Sequence, residues 1–138
     1  MSNGNPLTQV SRPPEKFASC LQAVLECKKI CDECNHAIIA SSDVKALFRC
    51  FTLNRDCALF CNSTSLLLEH GSEFLQPLLL LCGHACAVCA EEAARHSMPE
   101  CQRAALACRR CAEECEKLTG QFNELVTNYN SAVSELKQ

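Results

Sequence analysis

The stretch CLQAVLECKKICDEC, residues 20–34, carries cysteine at positions 20, 27, 31 and 34, steps of seven, four and three residues. On an α-helix such steps return to one face, and the arc they span is roughly 40 to 80° wide. The same rhythm recurs in three further sets: Cys50, Cys57 and Cys61; Cys82, Cys86 and Cys89; and Cys101, Cys108, Cys111 and Cys115. Apolar residues continue these stripes at the same phase, with Phe17 before Cys20, Leu75 before Cys82, and Leu118, Phe122 and Leu125 after Cys115. These are inward positions of amphipathic helices, so the thiols are predicted to point into a core.

The punctuation around the stripes sets the helix limits. Ser11, Pro13 and Pro14 signal the start of a first helix that is periodic from Phe17 to Ser41 and Ser42. Ser42 or Asp43 is predicted to cap a second helix running to about Glu69, with His70, Gly71 and Ser72 as a turn. Pro77 suits the first turn of a third helix ending near His96. Ser97 and Glu100 have capping-box spacing for a fourth helix, whose apolar repeat reaches Leu136 unless Gly120 breaks it. No segment alternates with period two, so no strand is predicted. The prediction is an all-α, antiparallel four-helix bundle with a cysteine-lined core and an extended fourth helix: a disordered tail over residues 1–13, then a domain over 14–138.

Folding the helices about turns near residues 42 and 97 tests whether the stripes meet. Counted from that end, Cys101 lies about 4 residues in, and Cys34, Cys50 and Cys89 about 8. Cys31, Cys86 and Cys108 fall near about 11, Cys27, Cys57, Cys82 and Cys111 near about 15, Cys61 and Cys115 near about 18, and Cys20 near about 22. The expected core is a stack of thiol layers.

Composition narrows the function. The formal net charge is −3, the pI is near 5.8 and the 13 Lys and Arg are scattered, which fits neither nucleic acid nor an anionic membrane surface. Residues 1–14 contain no apolar signal region or arginine pair, and the runs Leu66–Leu68 and Leu78–Leu81 are too short to span a bilayer, so a cytoplasmic protein is expected. In that reducing compartment, 14 cysteines point to free thiols or bound metal rather than to disulfides. No base-oriented nucleophile, phosphate loop or catalytic carboxylate pair emerges, so no enzyme is expected, and Glu91, Glu92, Glu113, Glu114 and Glu116 read as solvated helix faces.

Buried cysteine can serve as a small hydrophobe, but 14 stacked thiols pack less well than leucine and invite oxidation. Four thiolates on Zn²⁺ leave a buried double negative charge, and 14 ligands divide unevenly by four. Cu(I) is soft and monovalent and accepts bridging thiolates, so equal numbers of Cu⁺ and Cys⁻ form a neutral array. Cys27 with Cys31, Cys57 with Cys61, Cys82 with Cys86 and Cys111 with Cys115 each set two sulfurs one turn apart, a spacing that suits a two-coordinate Cu(I). C-x3-C-x2-C at residues 27–34 and 82–89 also has radical-SAM spacing, which belongs to a loop in a far larger domain. A zinc or iron–sulfur protein and a thiol-redox module remain competing readings.

With these motifs the chain resembles the cytosolic bacterial copper storage proteins, over roughly Pro14 to Glu135. The resemblance implies storage and sequestration of many Cu(I) ions within a Cys-lined four-helix bundle, and a homotetramer of such bundles. Leu66–Leu68 and Leu78–Leu81 supply more leucine than one inward stripe uses, in keeping with that assembly. Capacity would be on the order of 14 Cu(I) per chain at one ion per bridging thiolate. Phe17, Leu68, Leu75, Leu118 and Phe122 would plug one end, leaving uptake to the other. There His96 continues the Cys82–Cys89 phase, Met98 lies in the adjoining turn, and both are candidate transient ligands beside Cys101, against the plainer reading of a solvated turn histidine and a half-buried methionine. His36, His70 and His84 read as surface residues.

Overall fold

A computed structural model describes the backbone of residues 14–136 and the side chains of residues 14–120 and 134–136. The readings of residues 1–13 as a tail, and of Phe122 and Leu125 as core, lie outside the described residues.

A short 3-10 turn, Glu15–Phe17, leads into α1 (Ala18–Ala40), followed by α2 (Phe48–His70), α3 (Leu75–Ala94) and α4 (Pro99–Leu136). Each helix packs on its sequence neighbours, and α4 closes the ring against α1. Between α1 and α4 Cys34 meets Cys101 while Cys27 meets Cys108, and between α2 and α3 Cys57 meets Cys86 while Cys61 meets Cys82, orders that antiparallel neighbours produce. Gly120 does not interrupt α4.

Two turns follow the sequence closely. α2 ends at Gly71 with φ 62° and ψ 46°, a left-handed conformation that glycine adopts without a Cβ clash. The Gly71 and Ser72 N–H groups both reach the Leu67 carbonyl, satisfying the end of the helix. Pro77 sits in the first turn of α3, where its missing N–H costs nothing.

Two others depart from expectation. Helix α2 begins at Phe48, not at Ser42 or Asp43, because Ser41 takes the local polar role: its hydroxyl donates to the Ile38 carbonyl at 2.7 Å and accepts from the Asp43 N–H at 3.3 Å. Residues 43–47 then fold as turns, with the Leu47 N–H reaching Asp43 and Val44 carbonyls. At the start of α4, no capping-box bond between Ser97 and Glu100 is found among the described residues. The Met98 carbonyl accepts from the Gln102 N–H, and the Gln102 amide donates to the Ala94 and His96 carbonyls at 3.2 and 2.6 Å.

The leucine runs also understate α3, a 20-residue helix whose most apolar 18-residue window has a mean hydropathy of 1.3, long and apolar enough to cross a membrane by length and composition alone. Here its cysteine stripe faces the bundle interior and α2 and α4 pack against it. Gly83 lets α4 come close at the level of Cys82, since a Cβ at this position would lie 3.3 Å from the Cys115 Cβ.

Phe17, Leu68, Leu75, Leu79 and Leu118 are buried together at the end formed by the α2–α3 turn, as the plug reading requires of its described members. Shortening Leu68, fully buried among them, to alanine should cost about 2–5 kcal/mol in chemical denaturation of the reduced protein. Neutral thiols and this plug already fill the interior, so the reduced, metal-free chain should give a helical far-ultraviolet circular dichroism spectrum. A coil-like spectrum would refute the packing argument.

Candidate metal centre

All fourteen cysteines are free thiols directed inward; thirteen are 0 % exposed and Cys20 is 2 % exposed. Contacts between sulfurs range from 3.3 Å for Cys57 with Cys86 to 3.9 Å for Cys61 with Cys82, far beyond the disulfide length of about 2.05 Å. Four sets bring their sulfurs within 4.8 Å of one another: Cys27, Cys31, Cys57 and Cys108; Cys27, Cys57, Cys61 and Cys86; Cys61, Cys82, Cys86 and Cys111; and Cys34, Cys50 and Cys101.

The stripes meet as expected, but α2 is displaced in register. Cys57 is expected level with Cys27, Cys82 and Cys111; it contacts Cys27 as expected but otherwise Cys86 and Cys108, and Cys50 joins Cys101 as well as the expected Cys34. Residues 43–47 form turns between α1 and α2 in place of the continuous helix expected, and α2 lies about one turn nearer the open end than that count placed it. Cys115 neighbours Cys20, Cys82 and Cys111 at the plugged end.

Burial opposes ionisation of each thiol, and S–H donors from its neighbours favour it. The Cys50 hydrogen bond, helped by Cys101 and Asn54 against the cost of burial, pulls Cys34 down to about 6. Burial first, then the Cys34 charge, pushes Cys101 up to about 12. In the ladder, Cys108 above all holds Cys57 below the ordinary thiol value, while Cys27 above all holds Cys108 well above it. One sulfur can carry charge because adjacent ones keep their protons.

Three polar residues escaped a reading that followed cysteine alone. Asn54 and Thr64 are both 0 % exposed and continue the stripe Cys50, Cys57, Cys61 at heptad spacing, which was the available signal. Asn54 accepts from the Cys89 thiol at 3.0 Å and donates to Asn35 at 2.9 Å, whereas the Thr64 hydroxyl has no partner among the described residues. The third is Glu92, which is 6 % exposed rather than solvated. Its carboxylate accepts from Arg49 at 2.7 Å, His96 Nε2 at 2.8 Å and Arg95 at 3.3 Å. Glu114 is half-buried against Lys117, while Glu91, Glu113 and Glu116 are exposed.

At the open end His96 is half-buried, and Met98 Sδ lies 3.8 Å from Cys101 Sγ. An Nε2–H given to Glu92 leaves the lone pair on Nδ1, the pattern by which carboxylates orient ligating histidines. His36, His70 and His84 are exposed, as read. Ile38 and Leu47 are buried over the Cys34, Cys50 and Cys101 set, so these thiols have no open path to water in this conformation.

A helical bundle with interlocking thiol sets along its axis defines a metal–thiolate protein. The chain belongs to the copper storage protein family, whose model matches residues 14–120. It is 31 % identical over 89 residues to the uncharacterized cysteine-rich protein YhjQ of Bacillus subtilis, an alignment covering 64 % of this chain and 82 % of YhjQ. The Cu(I)-bound copper storage protein BsCsp3 superposes with a TM-score of 0.74 at 30 % identity, over 76 % of this chain and 99 % of that one. A cytosolic copper storage protein from Streptomyces lividans, holding five coppers, gives 0.74 at 30 % identity over 77 % and 93 % of the two chains.

Hydrogen bonds, first from His96 and then from Arg49, hold the Glu92 carboxyl below the usual carboxylate range against the opposing effect of burial. Its stabilisation is therefore complete above the unfolded pKa and fades as pH falls through the lower folded value. Replacing Glu92 with glutamine should cost about 1–2 kcal/mol near neutrality, and the gap to wild type should close as acidification carries the solution below the ordinary carboxylate range. A gap independent of pH in denaturation curves would show that the carboxylate charge contributes nothing.

Proposed function

We propose that this protein stores Cu(I) in the cytosol, with Cys20, Cys27, Cys31, Cys34, Cys50, Cys57, Cys61, Cys82, Cys86, Cys89, Cys101, Cys108, Cys111 and Cys115 as thiolate ligands. The observation that carries this is shared membership: Cys27 and Cys57 belong to two four-thiol sets, and so do Cys61 and Cys86. Sulfurs at the overlap are placed to bridge, which Cu(I) thiolates do and separate tetrahedral zinc sites do not need.

Charge supports the same choice. Two of the four-thiol sets share no member and could each take a zinc ion, but each such site would bury a double negative charge. Among the described residues no Lys, Arg or His is buried to balance it; Glu92 is the one buried charged side chain. A thiolate lattice filled with Cu⁺ needs no counterion. Capacity is on the order of 14 ions per chain.

Uptake at the end carrying Met98 and His96 fits the plug at the opposite end. Leu59, Leu66, Leu80 and Leu81 are 61, 51, 48 and 46 % exposed on α2 and α3, apolar area that a homotetramer would cover. The Streptomyces relative is a cytosolic protein, which supports the same compartment here.

Anaerobic Cu(I) titration against a chromophoric chelator tests the storage reading. Uptake of about ten or more ions per chain supports it, and saturation at about one to four defeats it. Replacing His96 with alanine should slow loading while leaving capacity nearly intact; unchanged kinetics would remove His96 from the uptake route.

A further inference from the structure

The inward seam of α4 does not stop with the bundle. Cys101, Ala104, Cys108, Cys111, Cys115 and Leu118 follow one another in alternating steps of three and four residues, and all are buried. In the sequence the same alternation continues through Phe122, Leu125, Tyr129, Ala132 and Leu136, apolar at every step and without a further thiol. The backbone stays helical as far as Leu136.

The other helices end sooner. Cys34 meets Cys101 and Cys27 meets Cys108, so Ala18 at the start of α1 lies level with about residue 117 of α4. Cys82 neighbours Cys111 and Cys115, which puts Leu75 at the start of α3 level with about residue 120. From residue 121 onward α4 thus runs past the described ends of its three partners, for about 24 Å at a rise of about 1.5 Å per residue. The match to the family model ends at residue 120, where this arm begins.

The arm is poorly made to stand alone. Asn123, Thr127, Asn128, Asn130 and Ser131 are weak helix formers, and a helical segment this short is marginal in water without packing. Its apolar seam ends at Leu136, which is 85 % exposed, and Phe74, beside the level at which the arm leaves the bundle, is 65 % exposed.

We propose that this arm, residues 121–136, pairs antiparallel with the same arm of a second copy. A straight helix drifts only about 20° per heptad from a seven-residue repeat, so the seam of the arm keeps the side that α1, α2 and α3 occupy up to residue 120. A parallel partner would carry its own bundle into that space, whereas an antiparallel one holds the two bundles at opposite ends. Alternate seam positions then oppose one another, 118 with 136, 122 with 132 and 125 with 129, so the large Phe122 is matched by the small Ala132. Leu136 of each arm arrives at the plugged end of the other, near the level of Phe74. The arm's charged residues are Glu124 and Glu135, both off the seam, so no like charges oppose at its centre, and it has no cation for nucleic acid or an anionic membrane. The contact is two-fold symmetric and uses no thiol, so it holds or fails independently of copper storage.

Sedimentation of the reduced, metal-free full chain over a range of concentrations tests the pairing. Leu125→Lys with Tyr129→Lys sets like charges against each other and should halve the assembled mass at a concentration where wild type is fully associated. Leu125→Glu with Tyr129→Lys sets opposite charges against each other across the antiparallel pair, and should regain the wild-type mass at low salt and lose it at high salt. Leu136→Ser changes a side chain exposed in the lone chain, should weaken association at least about tenfold, and decides the matter if the lysine variant does not fold by circular dichroism. A wild-type mass that persists in the lysine variant and in Leu136→Ser assigns any association to other faces and overturns the pairing. So does a charge-swapped variant that fails to reassociate, or a wild type of monomer mass whose arm is covered by residues 1–13 of its own chain.

Discussion

Fourteen sulfur atoms lie in a core almost without contact with water, and the cost of placing charge there governs what surrounds them. A neutral thiol behaves as a small apolar group and packs at little cost, whereas an uncompensated thiolate would lose its hydration for nothing. The hydrogen-bonded thiol ladder offers a partial answer, since neighbouring S–H groups can stabilise one charged sulfur, but it cannot stabilise fourteen at once. A monovalent soft cation exchanged for each proton keeps the interior neutral at every stage of filling. The formal charge of −3 is then unaffected by how much copper the chain holds.

Helix geometry turns that chemical condition into a structure. Steps of three, four and seven residues keep each stripe on one face, and antiparallel packing brings four stripes to a common axis. Packing distance is then set by small residues: Gly83 lets Cys82 and Cys115 approach, and Ala93, Ala104 and Ala105 lie beside the outer thiols. Larger side chains are concentrated at the ends, with Phe17, Leu68, Leu75 and Leu118 at one and Ile38 and Leu47 at the other. The bundle is therefore narrow where sulfur must meet sulfur and stoppered where water would otherwise enter.

The architecture was legible in the sequence because cysteine repeats with a period no strand or loop would produce. What could be misread was whatever depended on chain between helices or on polar groups. Residues 43–47 form turns rather than helix, beside a Ser41 side-chain interaction that periodicity cannot reveal, and α2 sits about a turn away from the register that a continuous helix would give. Asn54 stands in the stripe at heptad spacing but is not a cysteine, so the thiol rhythm alone does not mark it. Glu92 looks like any exposed glutamate until tertiary packing brings Arg49 from α2 beside it, since a partner 43 residues away leaves no local trace.

The two ends of the bundle are closed by different physics, and this separates their roles. At the plugged end the barrier is apolar contact among described side chains that reach across helices, and opening it would expose several large hydrophobes together. At the other end the apolar cover is small, Ile38 and Leu47, and the segment carrying Leu47 is held by backbone bonds within its own turn. The ion pair that ties α2 to α3 there comes from an arginine that is 60 % exposed, a kind of contact water competes for readily. Local opening should thus be far less costly where Met98 and Cys101 lie than where Phe17 and Leu68 do. On the storage reading proposed above, a soft cation arriving at such an opening would meet a thioether, an imidazole hydrogen-bonded to Glu92 and a thiol pulled down to about 6 before it met the ladder.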